Sequence, residues 1–239
     1  MTTVLLLGSA PMATEARQWP RAPFDRLVAI NNAHALRPDW DDLVYPWDFP
    51  AANLPSPAPH QRLVSETAFV TAQNAFGGFV YAGGTMAFTA AYWALFDLRP
   101  KVIAVFGCDM HYPAKGPTHF YGTGRPDPLR RDITLRSLEA KSARLMVLAA
   151  LQGCAMVNLS QGPSRLIFPR ALRETASRAL PLTFDATLVA RALQREADLG
   201  YLVPSGRYWL ETDRFDLAEI DALDTLWLRA ATQLVAQTG

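Results

Sequence analysis

Lys101-Val-Ile-Ala-Val-Phe106, closed by Gly107-Cys108-Asp109, is the stretch that decides the fold. Its apolar run is too short for a buried helix, rich in β-branched residues, and ends in a glycine turn. That combination predicts a strand covered on both faces, as in a parallel sheet. The same pattern recurs on either side. Val4-Leu-Leu-Leu7 ends in Gly8-Ser9-Ala10-Pro11, and Leu27-Val-Ala-Ile30 ends in the polar pair Asn31-Asn32. Leu43-Val44-Tyr45 runs into Pro46-Trp47-Asp48, and Ala155-Met-Val157 runs into Asn158-Leu159-Ser160.

Helical patterns lie between these runs. Residues 85–98 are apolar on nearly every face and stop before Pro100, which predicts a buried helix. Residues 134–152 place Leu135, Leu138, Leu145 and Ala149 on one stripe, with Arg136, Glu139, Lys141 and Arg144 elsewhere. Asp132 or Thr134 suits the start of that helix and Gly153 its end. Residues 51–61, with Pro55, Pro57 and Pro59, read as an irregular surface loop. Strands alternating with helices predict an open, mostly parallel α/β sheet of Rossmann-like kind with helices on both faces.

Beyond Pro169 the pattern turns helical. Residues 185–199 are bracketed by Asp185 and Gly200, and residues 216–236 carry Leu217, Ile220, Leu223, Trp227, Ala230 and Leu234 on one face. Pro204-Ser205-Gly206 is a turn between them. The expected organisation is a nucleotide-binding portion over 1–170 with a helical C-terminal extension over 171–239 packed on the same domain.

Composition narrows the function. The chain has 239 residues, half of them hydrophobic and 19% charged, with a formal net charge of +1. Such a balance supports one sizeable core and offers neither a nucleic-acid footprint nor a polybasic membrane patch. Cys108 and Cys154 lack any CxxC or Cys/His neighbourhood and read as buried free thiols. Without a basic, apolar leader or a run long enough to span a bilayer, the expectation is a cytoplasmic protein with no integral membrane segment. Peripheral membrane association and homo-oligomers are compatible with this.

In open α/β sheets, ligands sit beyond the carboxyl ends of the strands. Those ends carry Gly8, Ser9, Ala10, Asn31, Asn32, Asp48 and Gly107 here, which makes them candidate nucleotide contacts. Gly83-Gly84-Thr85 opens the buried helix, where backbone N–H groups and the helix dipole suit an anion. No GxGxxG and no P-loop occurs, so neither usual nucleotide motif is the basis of the reading. The long loop over residues 107–133 gathers Asp109, His111, Tyr112, His119, Tyr121, Thr123, Arg125, Asp127, Arg130, Arg131 and Asp132. Loops of this length and composition are usually functional, and glycines 116, 122 and 124 would let it close as a lid. His119 is the candidate base, since histidine alone titrates near neutrality unaided. A metal set of His111, His119 and Asp109 matches no strong ligand spacing. A GxSxG nucleophile elbow is absent.

In order and spacing, these motifs resemble the bacterial sialyltransferases of glycosyltransferase family 42. That domain type is shared with motility accessory factor proteins and with archaeal-type 6-hydroxymethylpterin diphosphokinases. The matching segments are Val4-Leu-Leu-Leu-Gly-Ser-Ala-Pro11, Ile30-Asn31-Asn32, Gly84-Thr85-Met86, Val105-Phe-Gly-Cys-Asp109-Met-His-Tyr112, Thr118-His-Phe-Tyr-Gly122 and Asn158-Leu-Ser-Gln-Gly-Pro-Ser164. The resemblance implies transfer of a sugar from a CMP-activated donor to a glycan acceptor, with no metal and no other cofactor. It places Gly8 and Ser9 under phosphate and ribose, Asn31 on the nucleotide, and Gly84-Thr85 on donor phosphate or carboxylate. Asp109 would contact ribose or cytosine, and Tyr112 and Tyr121 would steady the leaving phosphate. Thr123 stands where the family carries its catalytic histidine, so the role would pass to His119. Thr123, Arg125 and Arg130 would then belong to the acceptor or lid side. Two alternatives accompany this reading. One is a Mg²⁺-dependent pterin-type diphosphokinase using Asp109 and Asp127, and the other is a non-catalytic nucleotide-sugar-binding protein.

Overall fold

The computed structural model describes residues 2–112, 115–124 and 130–232. Its centre is a six-stranded, wholly parallel sheet in the order β4-β3-β2-β1-β5-β6. The strands are β1 Thr3–Leu7, β2 Arg26–Ile30, β3 Asp42–Val44, β4 Arg62–Val64, β5 Val102–Phe106 and β6 Ala155–Asn158. Alternate residues of every strand but the edge strand β4 serve opposite cores, as the pleat requires. Val4, Leu6, Val28, Ile103 and Val105 face one cluster, while Leu5, Leu7, Leu27, Ala29, Ala104 and Phe106 face the other.

The first face carries the α-helices: α1 Glu66–Ala75, the single turn α2 Phe79–Ala82, α3 Met86–Asp97, α4 Leu138–Leu151, α5 Ala186–Leu199 and α6 Leu217–Thr232. The second is covered by short 3-10 helices, among them Pro11–Gln18, Asn31–Leu36 and Arg173–Arg178. Pro11 opens the first of these at a position that needs no N–H donor. This is the expected open α/β fold with helices on both faces and helices at its C-terminal end.

Several local expectations change. Strand β4 and helix α1 follow the proline-rich loop and were not expected. The helix placed over 134–152 begins later. Asp132 caps a 3-10 turn over Ile133–Leu135, accepting from Thr134 N at 2.8 Å, and Ser137 caps α4 by accepting from Ala140 N. The Pro204-Ser205-Gly206 turn is present, with Gly206 N donating to Val203 O, and a 3-10 helix over Tyr208–Leu210 follows it. Leu217, placed on the buried face of α6, is exposed, and Leu234 lies outside the described residues.

The largest departure concerns Lys141 and Arg144. Both face inward. Lys141 Nζ donates to Asp224 at 2.7 Å, and Arg144 is clamped to Glu196 at 2.6 Å, each pair fully buried. Glu196 stands in α5 and Asp224 in α6, so α4 presents charge to the C-terminal helices and receives charge in return. Asp185 caps α5 through Thr187 N and Leu188 N, and Gly200 ends it in the left-handed conformation, as expected. Cys108 and Cys154 are free and buried. Among the described residues no helix is long and apolar enough to cross a membrane.

Candidate functional site

The direction of the strand order reverses between β1 and β5, since β2 lies outside β1 and β6 outside β5. That switch point leaves a crevice beyond the strand ends, because the connections depart to opposite sides. It is a small, open cleft of about 100 Å³, below the roughly 300–1,000 Å³ of an enclosed ligand pocket. Its walls come from the turns after β1 and β5 (Gly8, Ser9, Ala10, Gly107, Cys108), the end of β2 (Ile30, Asn31) and the start of α3 (Thr85, Met86, Ala87). Met110, His111, Tyr112, Thr118 and His119 of the long loop close it.

Two glycines make the floor. A Cβ on Gly8 would lie 2.3 Å from the Gly107 carbonyl oxygen and 2.5 Å from Cys108 Sγ. Gly107 has φ 72°, and a Cβ there would meet Ala13 at 2.8 Å. The strand ends are therefore in backbone contact, with Gly8 N donating to Phe106 O and Ala10 N to Gly107 O. These N–H groups are already engaged, and Ser9 lines the cleft between them. Its carbonyl accepts from Phe120 N at 2.9 Å, which ties the long loop to the first strand end.

Two further residues around the cleft hold the left-handed backbone that side chains other than glycine adopt at a cost: Asn31 at φ 51° and Met110 at φ 51°. Asn31 Oδ1 is buried and has no hydrogen-bond partner among the described residues. A buried acceptor left unmet costs about 1–3 kcal/mol, so a ligand hydroxyl or amine donating to it would recover that energy. At the opposite wall, Thr85 caps α3 by accepting from Phe88 N, and the first turn of that helix adds partial positive charge.

His119 lines the cleft on its loop. Thr118 Oγ1 lies 2.9 Å from its Nδ1 and also accepts from Gly124 N. The Tyr121 ring stacks on the imidazole at 4.9 Å, and Tyr112 sits 6.2 Å away on another side. A Cβ on Gly124 would come within 3.3 Å of His119 Nδ1, so this glycine makes room for the ring. The imidazole is thus held by a hydroxyl at one nitrogen and by an aromatic plane.

Other expected contacts lie elsewhere. Asp109 is buried and turned toward β6: its Oδ1 accepts from Asn158 Nδ2 at 2.9 Å, with Arg170 at 3.9 Å, and it does not line the cleft. Gly84 N donates to Thr134 Oγ1 at 2.9 Å and so does not face an anion. Gly83 packs on Phe88 and Lys141. Asn32 accepts from Asn53 Nδ2, and Tyr121 is half exposed outside the cleft wall. Thr123 is exposed, donating to Gly116 O, and is not part of the wall. Arg125 and Asp127 lie outside the described residues. Cys108 does line the cleft, but burial, aided by the Asp109 carboxylate, pushes its thiol far above the usual range, which makes it a poor nucleophile.

Asp48 and Arg130 belong to a second, wider groove that sequence reasoning did not anticipate. It runs beside the crevice and shares Met86 as a wall. Trp47, Glu66, Phe69, Phe79, Arg207, Tyr208 and Trp209 also line it. Tyr208 OH donates to Asp132 Oδ2 at 2.7 Å, and Arg130 Nη2 donates to Tyr208 OH and to Gly84 O. This latch holds the C-terminal segment against the entrance of α3. A Cβ on Gly84 would lie 2.7 Å from Tyr208 OH, so the glycine is needed for the latch to close. No local signal connects residues this far apart in sequence.

No protein-family model, curated protein or solved structure matches the chain. The likeness to family-42 sialyltransferases rests on the sequence motifs alone.

Proposed function

We propose that the chain is a sialyltransferase-like glycosyltransferase, moving a sugar from a CMP donor to a glycan hydroxyl. The observation that carries this reading is the switch-point crevice. One cleft gathers the small-residue turns of β1 and β5, the unmet Asn31 Oδ1, the start of α3, and the Tyr112–His119 pair. Nucleotide phosphate fits against Ser9 and the α3 terminus, and ribose or base donates to Asn31. In the reaction, a bond forms between the anomeric carbon and the acceptor oxygen. The bond from that carbon to the CMP phosphate oxygen breaks, and CMP leaves with the electron pair. The acceptor proton passes to His119. In the tautomer whose Nδ1–H donates to Thr118 Oγ1, Nε2 is the basic nitrogen. The Tyr112 hydroxyl is suited to the charge growing on the departing phosphate.

The position of Asp109 favours this over Mg²⁺-dependent diphosphoryl transfer, because the residue does not line the crevice and its Oδ1 accepts from Asn158. Donor hydrolysis and sugar transfer in wild type and His119→Ala test the reading. We expect turnover to fall by roughly 10²- to 10⁴-fold with CMP affinity unchanged. Lost CMP binding with intact turnover per bound donor would remove His119 from the role of base.

A further inference from the structure

We propose that the groove beside the crevice is a carbohydrate subsite for a neutral oligosaccharide, with Trp47 and Trp209 as its stacking platforms. The inference rests on the glycosyltransferase reading for its purpose, but its evidence is separate. Both indoles are well exposed, at 70% and 50%, while lining one groove. Large aromatic side chains left in water inside a concavity are unusual unless something covers them. Sugars present apolar C–H faces that pack on indole planes, and their hydroxyls need charged or polar partners at the ring edge. Asp48, Glu66 and Arg207 provide these around the two tryptophans. Three carboxylates (Asp48, Glu66, Asp132) against two arginines (Arg130, Arg207) leave the lining one negative charge in excess, which disfavours an anionic ligand and selects a neutral glycan.

The groove is built rather than incidental. Tyr208, the neighbour of Trp209, is fixed by Asp132 and Arg130, and its ring stacks with Phe79 at 6.2 Å. Pro46, which precedes Trp47, also lines the groove, so both platforms sit on defined walls. Met86 is shared between groove and crevice. A sugar chain in the groove would therefore end beside a donor in the crevice, the juxtaposition a transfer requires.

The test is saturation-transfer NMR on the full chain with lactose, N-acetyllactosamine and cellotriose, alongside calorimetry with CMP. We expect at least one of these sugars to bind wild type, and Trp47→Ala and Trp209→Ala each to weaken it by about tenfold or more. CMP affinity should be the same in all three proteins. Near-ultraviolet circular dichroism of both variants checks that the fold is kept, as expected for exposed side chains. Failure of all three sugars to bind a protein that binds CMP would overturn the subsite and leave the transferase reading standing. Sugar binding undiminished in both variants would overturn it as well. Sugar binding that depends on the tryptophans, in a protein that ignores CMP, would support the subsite and defeat the transferase reading.

Discussion

Replacing Glu196 by alanine should be among the most damaging single changes in the molecule. The carboxylate accepts from Arg144 Nε and Nη2, each at 2.6 Å, and from Trp227 Nε1 at 2.8 Å. Arg144 also donates to Tyr92 OH and to the Phe76 carbonyl, and its guanidinium lies 5.7–5.9 Å from the ring centroids of Tyr81, Tyr92 and Trp227. Burial opposes the charge on Arg144, but the Glu196 carboxylate and Tyr92 hydroxyl together more than offset this and hold the group firmly protonated. Without Glu196 the cation stays buried and uncompensated. Breaking such a pair costs roughly 3–5 kcal/mol, a large share of the ~5–15 kcal/mol that holds a typical domain together. At about 2–4 °C per kcal/mol for a chain of this size, Tm should fall by roughly 6–20 °C. Thermal and urea unfolding measure this directly. Glu196→Gln, which keeps shape and some acceptors, should fall between. Arg144→Met combined with Glu196→Leu should recover much of the loss, since apolar replacements of buried pairs are often tolerated. A cost below about 1 kcal/mol for Glu196→Ala, the range of exposed pairs, would refute the reasoning.

Two further outcomes follow from the geometry. Gly8→Ala drives a Cβ against the Gly107 carbonyl at 2.3 Å, so β1 and β5 must part at the crevice. A stability loss of roughly 1–3 kcal/mol with weakened CMP binding is expected, and unchanged values for both would contradict the floor described for the site. At alkaline pH, Tyr81 and Tyr208 should ionise late, burial having pushed each up to about 12, with the Asp132 carboxylate adding to the effect at Tyr208. Their raised folded values mean the stability they contribute is complete below about pH 10 and is lost as pH rises toward 12. Spectrophotometric titration should show a late tyrosinate phase accompanying unfolding. A single phase near 10 in the folded protein would contradict it.

Much of the sheet was legible because buried parallel strands are nearly continuous apolar runs, as at Val4–Leu7 and Val102–Phe106. Strand β4 was not, because it has three residues and exposes Arg62 and Leu63 at the sheet edge. Helix α1, with its mixed Glu66–Ala75 sequence, offers only a weak apolar stripe. Lys141 and Arg144 looked like a solvated face because their partners, Asp224 and Glu196, lie 83 and 52 residues away. The crevice was readable from strand ends, since topology alone delivers Gly8, Asn31 and Gly107 to one place. Asp109 was misplaced because its position after β5 says nothing of the direction its side chain takes. The groove was beyond local reading, as Trp47, Glu66 and Trp209 meet only through tertiary packing.

The central claim is that the switch-point crevice binds a cytidine nucleotide without metal. Calorimetric titration of wild type with CMP, CDP, UDP and ATP, in EDTA and then in Mg²⁺, tests it most directly. The account predicts CMP binding in EDTA that magnesium does not change. Selective, magnesium-dependent ATP binding, or no nucleotide binding by the folded protein, would contradict it.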